Sequence, residues 1–278
     1  MEPLTIGFSP CPNDTFIFHA LVHGKVPVPD PGFAPPVLAD VETLNEWALA
    51  GRLDVTKLSF HALGHVLDRY ALLDAGAALG RGCGPLLVTG PGADPSRLES
   101  AKVAIPGRLT TAAMLLRLFA PECRNLITMR FDLIMPALAA GEIDAGAIIH
   151  EGRFTYRQYG LTLIQDLGAW WEEVTGLPIP LGGIVARRSL GEERLRAIGA
   201  AIRESVRYGF AQPDAGRDYI RRHAQELDDR VIADHIGLYV NSFSENLGRE
   251  GRAAIEEFVK RGRQAGVLPP GGSTAGFR

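Results

Sequence analysis

The chain has 278 residues, of which 46% are hydrophobic and 22% are charged, a composition typical of a globular protein large enough for two domains. Its 29 lysines and arginines nearly balance its 32 aspartates and glutamates, which argues against a surface built to bind nucleic acid or anionic lipid. The three cysteines lie at unrelated spacings, so neither a disulfide scaffold nor a CxxC zinc site is expected.

The first residues, MEPLTIGF, lack the basic region, the apolar region and the cleavage site of a secretory signal. No later stretch offers the roughly 18 uninterrupted apolar residues that a membrane span needs. We therefore expect a cytoplasmic protein with no membrane contact.

Within this N-terminal segment, LTIGF predicts a strand, and the apolar residues from Asn13 to about His23 predict a helix. The turn SPCPND joins the two, and Asn13 or Asp14 can cap the helix. Its polar side chains and the free N–H groups of the helix start also predict a site for an anion or a polar ligand. Capping alone explains the same residues equally well.

The next elements are a helix and a strand. Thr43 to Glu46 has the pattern of a capping box, which predicts the start of a helix that ends near Gly51. LDVTKLSF then predicts a strand.

The sequence repeats part of itself at an offset of 90 residues. WALAGRLDVTKLSF (47–60) is echoed by PALAAGEIDAGAIIH (136–150), and each contains the end of a helix, a glycine, then Asp54 or Asp144 and a strand. LTIGFSPCPNDT is similarly echoed by AKVAIPGRLTTA, in which a strand again breaks into a polar turn and a helix. The chain is therefore interpreted as two related halves.

Strands that alternate with helices predict an α/β fold of two lobes, each a mostly parallel sheet flanked by helices, with a ligand cleft between the lobes. Two apolar strands with glycines, GPLLVTGPG (84–92) and PLGGIVARR (180–188), are interpreted as the crossings between the lobes. This interpretation assigns residues 1–89 and 187–278 to lobe one and residues 90–186 to lobe two.

PGRLTT (106–111) is the second polar turn. Thr110 and Thr111 fall at a predicted helix N-terminus, where hydroxyl and N–H groups can hold a carboxylate or a phosphate. The spacing does not match a Walker loop, and no glycine motif of the chain matches the dinucleotide-binding spacing. Simple capping by a threonine stays an alternative.

His150 ends the apolar strand AGAII and precedes Glu151, and it takes the position that Phe60, next to Ser59, has in the first repeat. An imidazole at the end of a strand that faces a cleft can take a proton near neutral pH. The repeat should bring Ser59 and His150 to one cleft from opposite sheets, which favours a functional over a structural histidine. Arg153, in the same loop, can pair with a carboxylate or stay solvated.

The segments SPCPNDTFIFHAL, TKLSF, PGRLTT, IIHEGRFTY, DLGAWW and YVNSFS occur in this order along nearly the whole chain. Together they resemble the 1,4-dihydroxy-6-naphthoate synthases of the futalosine route to menaquinone. The resemblance implies the bilobed fold of type II periplasmic binding proteins. It also implies a carbon–carbon lyase that converts cyclic dehypoxanthine futalosine to 1,4-dihydroxy-6-naphthoate and dihydroxyacetone, with no cofactor and no metal.

The resemblance further implies a general base at His150 and a small-molecule substrate that carries a carboxylate. The substrate-binding residues expected from the resemblance and from the two turns are Ser59, Thr110, Thr111, Asn13 and Asp14, with Lys57 or Arg153 as charged partners. Two other functions stay open: a chorismate dehydratase of the same pathway and a non-catalytic solute-binding protein. The oligomeric state is left open between monomer and homodimer, and so are the roles of Cys11, His61 and His65.

Overall fold

The computed structural model describes residues 2–94, 97–225 and 228–270. Residues 271–278, which the sequence assigned to lobe one, therefore lie outside the described residues. Within the described ranges, no helix combines the length and the apolar character needed to cross a membrane.

The described residues form two β-sheets. The strands, in chain order, are β1 Ile6–Phe8, β2 Val37–Leu38, β3 Val55–Ser59, β4 Tyr70–Leu72, β5 Ala78–Gly80, β6 Leu86–Thr89, β7 Val103–Ile105, β8 Leu126–Thr128, β9 Ala145–Ile148, β10 Thr162–Asp166 and β11 Ile179–Arg187. The first sheet has the order β2-β1-β3-β11-β4, with β5 also paired to β11, and the second has the order β10-β6-β9-β7-β8.

Helices cover both sheets. They are α1 Pro12–Val22, α2 Val41–Leu49, α3 Phe60–Val66, α4 Thr111–Phe119, α5 Phe131–Ala139, α6 Gly152–Thr155, α7 Leu167–Thr175, α8 Glu192–Ala211, α9 Arg217–His223, α10 Asp229–Tyr239, α11 Ser242–Glu245 and α12 Gly248–Gln264. Short 3₁₀ helices follow α6, β11 and α8, at Tyr156–Tyr159, Arg188–Leu190 and Pro213–Gly216. The predicted two-sheet α/β architecture is confirmed.

The prediction of mostly parallel sheets is wrong, because both sheets are mixed. In the first sheet β1 is parallel to β2 and β3, whereas β11 is antiparallel to β3, β4 and β5. In the second sheet β7 is parallel to β8 and β9, whereas β6 is antiparallel to β9 and β10. The antiparallel pairs come from β6 and β11, the strands that enter each sheet directly after the chain has crossed from the other one.

The two crossings lie earlier in the chain than the sequence indicated. Because β6 pairs with β9 and β10, the first crossing is at 81–85, between β5 and β6, and not at residue 89. Because β11 pairs with β3, the second crossing is at 176–178, between α7 and β11. We propose that the lobes divide within these two segments.

The two sheets repeat one another as the sequence echo predicts. The order β2-β1-β3-β11 of the first sheet matches the order β8-β7-β9-β6 of the second. Asp54 Oδ2 accepts hydrogen bonds from the Thr5 N–H and hydroxyl, and Asp144 Oδ2 accepts one from the Lys102 N–H. Each aspartate therefore anchors the start of the neighbouring parallel strand, which explains why the echo preserves it.

Two predicted helix caps are wrong. Asp40, and not the predicted capping box, caps α2: its side chain accepts hydrogen bonds from the N–H groups of Glu42 and Thr43. At the start of α1, neither Asn13 nor Asp14 acts as the cap. Cys11 takes the N-cap position without a side-chain bond, because Asp14 turns back to bind Ser9.

An apolar core continues from one sheet to the other. Its members from the first sheet include Phe60 and Leu63 of α3, and its members from the second include Met114 of α4 and Trp171 of α7. Phe258 of α12 packs edge-on against Trp171, with ring centroids 5.5 Å apart. This shared core holds α3 and α4 beside each other, so that their first turns face the same space between the sheets.

Candidate active site

A cleft lies between the two sheets. Its walls come from the turn after β1, from β3, from the start of α4, from the segment after β9, from β11 and from the end of α10. The cleft contains all but one of the residues that the sequence predicted for the site: Asn13, Asp14, Lys57, Ser59, Thr110, Thr111 and His150.

His150 enters the cleft from a left-handed backbone turn. Its φ of 55° makes it the one non-glycine residue with positive φ among the described residues, a conformation that costs about 1–2 kcal/mol for an L-residue. Phe131 packs edge-on against the imidazole at 5.0 Å, and the ring of His235 lies nearly parallel to it at 6.0 Å. These contacts fix the ring at the cleft.

The surroundings of His150 keep its imidazole neutral. Loss of hydration lowers the pKa of His150, and the charges of Glu151 and Asp14 oppose this effect to a smaller extent. A neutral imidazole at neutral pH can accept a proton from a bound molecule. The site therefore has the protonation state that a general base needs.

The thiol nearest to His150 belongs to Cys11, with 3.9 Å between Cys11 Sγ and His150 Nε2. Burial raises the pKa of the Cys11 thiol well above its usual range. A thiol that stays protonated is a poor nucleophile. The position next to the imidazole is therefore a packing contact and does not form a Cys–His nucleophile.

Asp14 and Lys57 form a buried ion pair at the base of the cleft. Lys57 Nζ lies 2.5 Å from Asp14 Oδ1, and both side chains are almost fully buried. Asp14 also accepts hydrogen bonds from the Asn13 amide and from the Ser9 N–H and hydroxyl. The ammonium of Lys57 is thus paired within this network, and the expectation that it adds charge for a substrate carboxylate stays a prediction.

Ser59 lies at the N-cap of α3, at the end of β3. Its N–H donates to Asn45 Oδ1 at 2.8 Å, and the Asn45 amide donates to Ser59 Oγ at 3.1 Å. The Ser59 hydroxyl hydrogen is thus free of Asn45 and can point into the cleft. Asn45, from α2, orients the serine, and the sequence offered no signal for that contact.

The two threonines of the second turn have different roles. Thr110 is the N-cap of α4, with its hydroxyl oxygen accepting from the Ala113 N–H, so the predicted capping is confirmed for this residue. Thr111 Oγ1 donates to the Leu181 carbonyl of β11 at 2.6 Å, across the cleft. Thr111 and Ala112 line the cleft, and their N–H groups belong to the first helical turn, where no intrahelical acceptor exists.

The same turn is held against the first sheet by Glu42 and His61. The Leu109 N–H donates to both carboxylate oxygens of Glu42, at 3.0 and 3.2 Å, and His61 Nδ1 donates to the Thr110 carbonyl at 3.1 Å. Gly107 lets the turn approach Glu42 closely, because a Cβ on it would lie 2.3 Å from Glu42 Cδ and the carboxylate would have to shift. His61 therefore joins the two halves of the chain.

Arg153 does not reach the cleft. Its guanidinium donates to Asp166 Oδ2 and to the Gly84 carbonyl, both at 2.6 Å. These partners lie at the edge of the second sheet and in the first crossing, so they do not support the expected contact between Arg153 and a substrate. The guanidinium of Arg153 binds the carboxylate of Asp166 instead, and the separation of 13 residues in the sequence did not indicate this ion pair.

The sequence reasoning missed His235 and Tyr239 on α10. Tyr239 lines the cleft, and its ring lies 4.6 Å from that of His235, which is fully buried. The available signal was the spacing of Ile232, His235, Ile236 and Tyr239, which places all four side chains on one face of a helix.

A family model described as menaquinone biosynthesis matches residues 4–264. The chain belongs to this family. Two curated relatives, both named 1,4-dihydroxy-6-naphthoate synthase, align over nearly their full lengths. The one from Thermus thermophilus is 55% identical over 97% of each chain, and the one from Streptomyces coelicolor is 47% identical over 99% of this chain and 98% of its own.

Solved structures agree with this family fold. A crystal structure of an Archaeoglobus fulgidus protein, 35% identical, superposes with a TM-score of 0.89 over 96% of this chain and 98% of its own. A Candida albicans protein described as having the generic periplasmic binding protein fold gives a TM-score of 0.69 at 12% identity, over 98% of this chain and 92% of its own. The fold expected from the family resemblance, that of periplasmic binding proteins, is confirmed.

Proposed function

We propose that this protein is a 1,4-dihydroxy-6-naphthoate synthase, a lyase that cleaves cyclic dehypoxanthine futalosine into 1,4-dihydroxy-6-naphthoate and dihydroxyacetone, with His150 as the general base. The observation that carries the proposal is the position of His150, which lines the same cleft as Ser59, Thr110 and Thr111. The high identity to two curated synthases supplies the reaction.

The substrate carboxylate is placed at the N-terminus of α4. Thr111 and Ala112 line the cleft there, their N–H groups have no acceptor within the helix, and the positive end of the helix dipole favours an anion. The hydroxyl of Ser59 adds a donor from the opposite sheet. This arrangement needs no unpaired lysine or arginine, because backbone N–H groups and the helix dipole would stabilise the negative charge of the carboxylate.

His150 then takes a proton from a carbon or a hydroxyl of the sugar-derived part of the substrate. The electron pair left behind cleaves the bond to the three-carbon fragment, and the ring that remains becomes aromatic. Donors placed where negative charge develops lower the barrier to this step. The proton on His150 returns to the leaving fragment, so that the imidazole is neutral again at the end of the cycle.

The experiment is an assay of the purified protein with cyclic dehypoxanthine futalosine, in which naphthoate is detected by mass and absorbance. In His150→Ala we expect kcat to fall by at least about a hundredfold, the low end for a positioned general base, while the substrate still binds. His65→Ala removes a half-buried histidine outside the cleft and serves as the control. Near-normal turnover in His150→Ala would remove this residue from the chemistry.

The same assay separates the alternatives. The fold is shared with ligand-binding components of transport systems, and a protein of that class would leave the substrate intact after prolonged incubation. A chorismate dehydratase would instead consume chorismate, which is offered in parallel. A cytoplasmic location and a monomeric or homodimeric state are further parts of the proposal, to be checked by cell fractionation and by light scattering.

A further inference from the structure

Two polar residues of α2 connect Ser59 with the turn before α4. Glu42 and Asn45 lie one helical turn apart, and the Asn45 amide nitrogen donates to Glu42 Oε2 at 3.2 Å. Glu42 also accepts from the Leu109 N–H, which belongs to the turn before α4. Asn45 also binds Ser59, at the start of α3. A continuous chain of hydrogen bonds therefore joins Ser59 to this turn.

The backbone groups at the two ends fix the direction of every bond in the chain. The Ser59 N–H can only donate, so the atom that it meets at 2.8 Å is the Asn45 carbonyl oxygen, Oδ1. The Asn45 amide nitrogen then donates its two hydrogens to Ser59 Oγ at 3.1 Å and to Glu42 Oε2. At the other end the Leu109 N–H donates to Glu42 Oε1 at 3.0 Å, so both carboxylate oxygens act as acceptors. Burial raises the pKa of Glu42, and the bonds from Leu109 and Asn45, which favour the carboxylate, oppose this effect to a smaller extent.

These bonds leave the Ser59 hydroxyl as an unused donor. Its oxygen accepts from Asn45, and no residue in the described part of the chain accepts the hydroxyl hydrogen. Ser59 is only 4% exposed and lines the cleft. The hydrogen is therefore available to an acceptor atom of a molecule bound in the cleft.

We propose that Glu42 and Asn45 are positioning residues, which make Ser59 a hydrogen-bond donor to the substrate and hold it beside the start of α4. The acceptor is one oxygen of the substrate carboxylate, while the first turn of α4 binds the other. The carboxylate rests on the proposed function, whereas the direction of the Ser59 hydroxyl does not. Glu42 and Asn45 are not among the residues that line the cleft, so both act through Ser59 and the turn.

Glu42→Gln tests whether both atoms of this head group have to accept. The substitution replaces one acceptor with an NH₂ group, so either Leu109 or Asn45 meets a donor. Asn45 cannot turn its amide over to relieve this, because the Ser59 N–H holds its Oδ1. We expect KM for cyclic dehypoxanthine futalosine to rise about tenfold, the effect of one lost hydrogen bond to a charged group, and kcat to change less than about threefold.

The exchanged pair, Glu42→Gln with Asn45→Asp, separates positioning from stability. The new amide at position 42 donates to the new carboxylate at position 45, which also accepts from the Ser59 N–H. Every backbone donor is paired again and the net charge is unchanged, so the urea midpoint should return close to that of the wild type. The new carboxylate also accepts the Ser59 hydroxyl hydrogen, so KM should stay at least about tenfold above the wild type. Recovery of KM together with stability would overturn the proposal, because it would show a structural role alone.

Ser59→Ala in two backgrounds tests the same point independently of the charge at position 45. In the wild type it removes the donor and should raise KM about tenfold. In the exchanged pair the hydroxyl is already engaged, so the further rise should be less than about twofold. Equal rises in the two backgrounds would overturn the proposal. Glu46→Gln, on an exposed position of the same helix, is the matched control and should leave KM unchanged.

Binding of 2-naphthoate, measured by titration calorimetry, keeps this test apart from the catalytic one. The compound has a carboxylate on the ring system of the expected product, and its Kd should follow the pattern of KM across the variants. Wild-type protein that binds 2-naphthoate no better than naphthalene-2-carboxamide would overturn the carboxylate contact. If the wild type releases no 1,4-dihydroxy-6-naphthoate, the proposed function fails, and the Kd values still decide whether Glu42 and Asn45 direct Ser59. Should Glu42→Gln fail to fold, the exchanged pair with and without Ser59→Ala gives the same decision.

Discussion

Replacing Lys57 with methionine would leave a buried carboxylate without its countercharge. Lys57 Nζ lies 2.5 Å from Asp14 Oδ1, and the two side chains are only 5% and 3% exposed. Asp14 would keep its hydrogen bonds from Ser9 and Asn13 but would lose the cation that compensates its desolvation. Removing one partner of a buried pair costs about 3–5 kcal/mol, and the remaining hydrogen bonds favour the low end, about 3 kcal/mol.

The double variant Asp14→Asn with Lys57→Met tests whether the loss comes from the stranded charge. Without either charge, the cleft floor contains a neutral amide that can still accept from the Ser9 hydroxyl. We therefore expect the double variant to be more stable than Lys57→Met by at least about 1 kcal/mol. Such a gain would mean that Asp14 and Lys57 stabilise each other in the wild type.

The assay is urea unfolding followed by tryptophan fluorescence, from which the free energy of unfolding is extrapolated. Asp132→Asn is the matched control, because the Arg130–Asp132 pair has a similar distance of 2.6 Å but is largely exposed. Water screens such a pair, and its loss should not be resolvable. Equal losses in Lys57→Met and Asp132→Asn would refute the reasoning that burial, and not distance, gives the Lys57 pair its effect.

Three further predictions concern the contacts across the cleft. Thr111→Val removes the bond to the β11 carbonyl and a donor near the proposed carboxylate site, so KM in the naphthoate assay should rise more than kcat falls, and the reverse would reassign the turn. Gly107→Ala places a Cβ 2.3 Å from Glu42 Cδ, which should displace the turn that Glu42 holds and raise KM about tenfold or more. Gly199→Ala is the control, because a Cβ on Gly199 meets no atom within 4 Å, and equal KM values in the two variants would contradict the prediction. Burial lowers the pKa of His61 from 6.5 to about 4, so between these pH values the unfolded state binds more protons than the folded state. The free energy of unfolding should therefore fall by roughly 3 kcal/mol as the pH drops from 6.5 to about 4. In His61→Gln, urea unfolding should show a weaker dependence of this free energy on pH, and parallel curves for wild type and variant would contradict the prediction.

The sequence was most informative where it repeated itself. The echo around Asp54 and Asp144 predicted two related sheets, and the structure shows why: each aspartate binds the start of a neighbouring strand. The direction of β6 and β11 could not be read in the same way. An apolar strand has the same pattern whether it runs parallel or antiparallel, so the mixed sheets and the earlier crossings became visible only in the pairing.

The residues predicted at turns after strands lie at the cleft, whereas the predicted Arg153 does not. Ser59, Thr110 and His150 reached the cleft because the backbone places short side chains close to where the strand ends. Arg153 failed because its guanidinium is several bonds from the backbone and paired with Asp166 instead. The partner of a long side chain depends on residues that are distant in the sequence, so it cannot be predicted from the spacing of residues.

The position of the proposed base, His150, arises from one difference between the two repeats. In the first repeat, Ser59 is the N-cap and Phe60 begins α3 at once, so the phenyl ring turns into the core and is fully buried. In the second, His150 takes a left-handed conformation with φ of 55°, and α6 begins only at Gly152. The delayed helix start leaves the imidazole at the cleft rim instead of in the core. A backbone conformation that disfavours most residues thus makes the two repeats differ at this position, and it leaves one imidazole, the proposed base, at the cleft.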